Sequence, residues 1–130
     1  MLDLHGCVLV VDDEEAVRAS FTFLLEGYGL EVRGFASPTT FLAEVFPPGP
    51  VCVVLDLRLP ELSGLEVLER LTTRPRQVPV ILVTGHGNQQ AADEARRLGA
   101  FDFLEKPFDD REFMERVEKA LSSQIVAAPG

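Results

Sequence analysis

Val51-Cys52-Val53-Val54-Leu55-Asp56 is an unbroken apolar run that ends on a carboxylate. A strand with one face in water alternates apolar and polar residues. A run apolar at every position marks a strand buried on both faces, as in parallel sheets. The same pattern recurs on either side. Cys7-Val8-Leu9-Val10-Val11 is a second continuous run, followed at once by Asp12 and Asp13. Residues 78–84 form a third, ending on Thr84. Two weaker runs, 30–35 and 100–104, complete the set. In the former, Leu30, Val32 and Phe35 alternate with Glu31 and Arg33, the pattern of an edge strand.

Helical periodicity fills the gaps. Val17, Phe21, Leu24, Leu25 and Tyr28 fall on one helix face, and Gly27 and Gly29 end that helix. Ser37 is placed to cap a second helix with Pro38 in its first turn. Phe41, Leu42 and Val45 are its expected apolar face, and Pro47-Pro48-Gly49-Pro50 stops it. Leu65, Leu68 and Leu71 define a third helix that ends before Pro75. Asn88 caps a fourth, apolar mainly through Ala91, Ala92, Ala95 and Leu98, so it is expected to be lightly anchored. Asp109 caps a fifth, with Phe113, Val117, Ala120 and Leu121 inward.

Strictly alternating β and α units imply right-handed crossovers and a parallel sheet. Five units are too few for a closed eight-stranded barrel. The expected fold is α/β: a flavodoxin-like, doubly wound (βα)5 with strand order 2-1-3-4-5. At 130 residues the chain is one domain. Its body is expected over residues 1–122, with 123–130 as a C-terminal tail or linker.

Composition narrows the function. The net charge is −9, and only two lysines stand among the twelve basic residues. That balance opposes binding to nucleic-acid backbone, which needs Lys and Arg to neutralise phosphates, and suits a divalent cation. Cys7 and Cys52 each lie in an apolar run with no Cys-x-x-Cys or His cluster, and read as buried thiols. No stretch approaches the roughly 18 apolar residues of a membrane span, and the N-terminus lacks a signal-peptide pattern. The cytoplasm is the expected compartment.

In a parallel sheet the carboxyl ends of the strands share one edge, where ligands bind at the point of strand-order reversal. Asp12 and Asp13 follow the first strand, Asp56 follows the third, Thr84 closes the fourth and Lys106 comes just after the fifth. Strands 1 and 3 are neighbours in the expected order, so the three aspartates converge. Carboxylates held this close repel unless a cation joins them. An all-oxygen donor set suits Mg²⁺ or Mn²⁺ over zinc. Taken singly, each residue has a plainer reading: a helix cap for Asp12 or Asp13, a β-branched strand residue for Thr84, a solvated side chain for Lys106, core for Phe103. His86 reads as a solvent-facing loop residue at the mouth of the site.

Taken together and in order, these segments resemble the receiver domains of bacterial two-component response regulators. The segments are Val10-Val11-Asp12-Asp13-Glu14, Leu55-Asp56-Leu57-Arg58-Leu59-Pro60 with Gly64, Val83-Thr84-Gly85-His86-Gly87, and residues 100–108 with Glu105-Lys106-Pro107-Phe108. The resemblance covers the chain from about Cys7 to Leu121. The Thr-Gly-His-Gly and Glu-Lys-Pro-Phe segments are most similar to the FixJ-type subgroup.

The resemblance implies a role for each matching residue. Asp56 is the nucleophile and phosphoacceptor. Asp13 binds Mg²⁺ directly, Asp12 largely through water, and the Arg58 backbone carbonyl completes the set with Asp56. Lys106 places its ammonium on a phosphoryl oxygen. Backbone groups of Leu57 and Gly85 approach the phosphoryl group. Thr84 reorients its hydroxyl toward it, Phe103 moves inward in response, and the Lys106–Pro107 peptide is cis. His86 and Arg58 occupy positions that influence how fast the aspartyl phosphate hydrolyses.

The implied donor is a sensor histidine kinase. The implied reader is a second copy of the domain, a tethered output domain or a partner protein, each using helix 4, strand 5 and helix 5. A C-terminal DNA-binding domain is the output of that kind, and none lies within these residues. Three rivals share parts of the pattern. A haloacid-dehalogenase-type phosphatase would place a second Asp where Arg58 stands. An FMN carrier of the same fold would not line its phosphate loops with carboxylates. A docking-only pseudo-receiver would have no use for the full acidic set with Lys106.

Overall fold

The structure is a computed structural model that describes residues 4–85 and 87–124. Five strands alternate with five helices: β1 (Cys7–Val11), α1 (Glu15–Glu26), β2 (Glu31–Phe35), α2 (Pro38–Leu42), β3 (Val51–Asp56), α3 (Gly64–Leu71), β4 (Val80–Thr84), α4 (Gln89–Arg97), β5 (Asp102–Glu105) and α5 (Asp110–Ser122). The strands form one parallel sheet in the order β2-β1-β3-β4-β5. The expected fold is therefore the observed one. No described helix is long and apolar enough to cross a membrane.

Burial follows the sequence pattern. Every residue of β1, β3 and β4 is buried, as continuous apolar runs require, whereas β2 and β5 lie at the sheet edges and are only partly covered. Side chains alternate across the sheet, so one core holds Val8, Val10, Cys52, Val54, Ile81 and Val83 under α1 and α5. The other holds Leu9, Val11, Val53, Leu55 and Leu82 under α2 and α3. Cys7 and Cys52 fall in opposite cores as free, buried thiols; desolvation pushes Cys7 up to about 11 and Cys52 up to about 12. Phe113 anchors α5, with its ring 4.9 Å from that of Phe21 and 5.8 Å from that of Phe108.

The caps read from sequence are present. Ser37, Asn88 and Asp109 accept the N–H groups of Thr40, Ala91 and Glu112. A further cap, not among those expected, opens α3. Ser63 and Glu66 form a reciprocal capping box at the start of α3, a Ser-x-x-Glu signature visible in the chain.

Three expectations are corrected. Val45 is not on the apolar face of α2: that helix stops at Leu42, and Val45 is 84% exposed. Residues just before proline are driven away from helical conformation, and Pro47 follows closely. Phe46 takes the packing role instead, 5.7 Å from Phe41 and beneath the Arg74 guanidinium. Tyr28 lies beyond the end of α1 and is 38% exposed, because the chain turns at Gly29, whose φ of +86° favours glycine. The fourth strand begins at Val80, not at residue 78. Pro79 has no N–H for the ladder, although its carbonyl accepts from Val53.

Gln124 closes the far end of the sheet from Asp56. Its side-chain amide accepts the Val51 N–H at 3.0 Å and donates to the Val51 carbonyl at 2.8 Å. The rest of the expected tail, residues 125–130, lies outside the described residues.

Candidate functional site

The register brings the acidic strand ends together. Val11 pairs with Leu55, so Asp12 and Asp56 leave the sheet side by side at its carboxyl edge. Oxygens of Asp12, Asp13 and Asp56 all lie within 4.8 Å of one another. Asp12 is 1% exposed and Asp56 9%, whereas Asp13 is exposed.

Local hydrogen bonds fix each carboxylate. Asp12 Oδ1 accepts the Glu14 N–H at 2.9 Å, and the Asp12 carbonyl accepts from Arg18 Nη1 at 2.8 Å. Asp56 Oδ1 accepts the Arg58 N–H at 3.0 Å. Asp12 Oδ2 is buried and has no hydrogen-bond partner. An anionic oxygen left unpaired in a buried place is unfavourable unless something positive meets it. Burial first, and then the Asp56 charge, push the Asp12 carboxyl from 3.8 up to about 6, against the Glu14 N–H and the Lys106 ammonium, which hold it down. The donor set is entirely oxygen and one lone-pair site is open, so these residues fit a hard divalent cation.

The rest of the edge surrounds this cluster. Thr84 is fully buried at the end of β4, in register with Glu105, and its carbonyl accepts the Lys106 N–H at 2.7 Å. Lys106 is half-buried, and the Lys106–Pro107 peptide is cis. Phe103 is half-buried on β5 and packs against the core under α2 and α3. A Cβ on Gly85 would meet nothing within 4 Å. His86 lies outside the described residues.

One expected contact is corrected. The Leu57 N–H is committed to the ladder, donating to the Val83 carbonyl at 2.9 Å; the amide directed at the Asp56 carboxyl is that of Arg58. Two further residues, Arg18 and Gly64, shape the site. Arg18 ties α1 to the Asp12 backbone. The Gly64 N–H donates to the Leu57 carbonyl at 2.8 Å, and the missing Gly64 side chain leaves room for the turn after β3. A glycine eight residues after the strand-end aspartate was the available signal.

Comparison with known proteins agrees with this geometry. The response regulator receiver domain family model matches residues 8–118. The transcriptional regulatory protein FixJ of Azorhizobium caulinodans is 47% identical over 114 residues, which are 88% of this chain and 54% of that protein. The response regulator protein TmoT of Ectopseudomonas mendocina is 37% identical over 121 residues, covering 93% of this chain and 55% of TmoT. The crystal structure of full-length FixJ from B. japonicum superposes with a TM-score of 0.85 at 40% identity, covering 95% of this chain and 61% of that one. The chain thus spans little more than half the length of the curated relatives it matches. With its fold, its acidic strand-end cluster and a family match over most of its length, the chain belongs to the response regulator receiver domains, the phosphoacceptor signalling modules of two-component systems rather than classical enzymes.

Proposed function

We propose that this receiver accepts a phosphoryl group on Asp56 from the phosphohistidine of a sensor histidine kinase, with Mg²⁺ (or Mn²⁺) held by Asp12, Asp13, Asp56 and the Arg58 carbonyl. The observation that carries the reading is the convergence of three carboxylates at the β1–β3 switch point, with Asp12 Oδ2 buried and unpaired. When bound, the cation would neutralise the carboxylates and the charge on the transferring oxygens.

The chain's own residues supply positioning. The Arg58 N–H holds Asp56 Oδ1 and so orients the carboxyl. The other oxygen, Oδ2, attacks phosphorus; the P–N bond of the donor breaks, its electron pair returns to the imidazole, and an acyl phosphate forms. Lys106, the Thr84 hydroxyl and the Gly85 N–H then meet the phosphoryl oxygens, and no side chain at residue 85 stands in their way. These contacts draw the ends of β4 and β5 toward Asp56, Phe103 moves inward, and the surface of α4, β5 and α5 changes.

That surface carries Arg96 and Arg97 paired with Asp93 and Glu94 on α4, and Arg116 of α5 bonded to Asp102 of β5 at 3.1 Å. Its reader is a second copy of the domain or an output domain. The relatives' names, which describe transcriptional regulation, favour a DNA-binding output following the receiver. The cytoplasm is the compartment this reading implies.

The test is incubation with Mg²⁺ and acetyl phosphate, read by intact mass. The wild-type protein should gain one phosphoryl group, and Asp56→Asn should gain none. Equal labelling of the two, or labelling that persists in EDTA, would overturn the proposal.

A further inference from the structure

Two glycines flank residue 86, and they are not equivalent. A Cβ on Gly85 would enter open space. A Cβ on Gly87 would lie 2.9 Å from Thr84 Cγ2, 3.1 Å from Phe103 Cε1 and 3.2 Å from Phe103 Cζ. Real Cβ atoms do not approach carbon to 2.9 Å, so a side chain here must displace the Thr84 methyl, the Phe103 ring or the loop itself. The φ of Gly87 lies outside the left-handed region, so residue 87 needs no glycine-like backbone freedom. What excludes a larger residue is space, and both neighbours that claim the space are side chains.

We propose that Gly87 is a positioning residue of the switch: its missing side chain forms the slot in which the Thr84 methyl meets the edge of the Phe103 ring. The proposal rests on the reading above, in which Thr84 answers the phosphoryl group and Phe103 carries the change to β5. The slot explains how a shift at one side chain reaches the other. Thr84 is fully buried at the end of β4, and Phe103 sits on the adjacent strand, where Leu82 is its partner in register. Residue 103 is therefore two positions along the ladder from residue 84. The edge of its ring and the Thr84 methyl both come within 3.2 Å of the point a Cβ at residue 87 would occupy, so the space the glycine leaves there is bounded by both side chains. Filling the slot would separate the two groups and leave the chemistry at Asp56 in place, since Gly87 contributes no side chain to the acidic cluster.

The experiment is a double-mutant cycle between residues 87 and 103, with a parallel readout of signalling. Gly87→Ala should lower the melting temperature by about 5 °C in the wild-type background, and by about 2 °C less once Phe103→Leu has removed the ring tip, the Thr84 contact remaining. Gly85→Ala, the control, should leave it within about 1 °C, because its Cβ meets nothing. Beryllofluoride with Mg²⁺ should bind Gly87→Ala within about tenfold of wild type, since the three aspartates and Lys106 are untouched and only Thr84 is nudged. The beryllofluoride-dependent change in amide exchange over residues 89–105 should fall to less than half. Equal losses of stability in both backgrounds would overturn the slot. A full exchange response in Gly87→Ala would overturn its part in coupling. Should wild type itself bind no beryllofluoride, the phosphoacceptor reading fails instead, and the stability cycle still decides whether residues 87 and 103 share the space.

Discussion

Gly64 lies hard against Asp56: a Cβ on residue 64 would sit 2.5 Å from the Asp56 carbonyl oxygen and 2.8 Å from Leu57 Cα. Both contacts are to backbone, which cannot swing aside as a side-chain tip can. The turn that delivers Asp56 to the sheet edge is therefore shaped by the helix start that follows it. Gly64→Ala should destabilise the fold by about 2 kcal/mol and move the Asp56 carboxyl, so acetyl phosphate labelling should slow as the melting temperature falls. An unchanged labelling rate at unchanged stability would contradict this.

The Asp12 carboxyl, pushed up to about 6, makes stability depend on pH in a defined direction. The folded state holds this proton more tightly than the unfolded chain, whose carboxyl titrates near 3.8. Without metal, Asp12 therefore opposes folding above pH 6, by about 3 kcal/mol, and this penalty fades as pH falls from 6 toward 4. Asp12→Asn should melt higher than wild type in EDTA at pH 7, and the gap should close by pH 4. Mg²⁺ binding to wild type should weaken as pH falls through 6, because protons compete for the same oxygens. Thermal melts and Mg²⁺ titrations across that range check both.

Lys106 acts on two partners. Its ammonium holds the Asp12 carboxyl down, and under the proposed function it meets a phosphoryl oxygen. Lys106→Ala should weaken beryllofluoride binding by about 30-fold, the scale of one charged hydrogen bond. It should also raise the pH at which Mg²⁺ binding is lost. A change in only one of these would separate the two roles.

The capping box at Ser63 and Glu66 is a stability device beside the site. Ser63→Ala should lower stability by about 1 kcal/mol, or roughly 4 °C in melting temperature, through loss of the bond to the Glu66 N–H. Mg²⁺ affinity should stay within about twofold, because the cap contributes no ligand. Calorimetry and a Mg²⁺ titration test the pair of outcomes.

Much of this was legible in the chain. Continuous apolar runs located β1, β3 and β4, alternation marked β2 as an edge, and the polar residue closing each run pointed to a shared edge. Convergence of Asp12, Asp13 and Asp56 followed from strand order alone. What escaped depended on register and on local backbone. Whether Leu57 or Arg58 turns its N–H to Asp56 is a matter of parity along β3. The N–H groups of Val53 and Leu57 face β4, so the intervening parity faces elsewhere, and no side chain announces which is which. Val45 fits a helical pattern that the proline-rich stretch cuts short. Gly87 stands within the Thr-Gly-His-Gly motif, but its tightness appears only when β5 lies beside β4.

At the other end of β3 the Gln124 amide does the work of a missing strand. β4 starts at Val80, opposite Val53, so the N–H and carbonyl of Val51 on that side have no neighbouring backbone, and a side-chain amide supplies both complements. The last turn of α5 is thereby clasped to the same strand whose opposite tip bears Asp56. A tug on that helix terminus is a tug along the central rail of the sheet, transmitted through two hydrogen bonds rather than through a greasy contact that could slide.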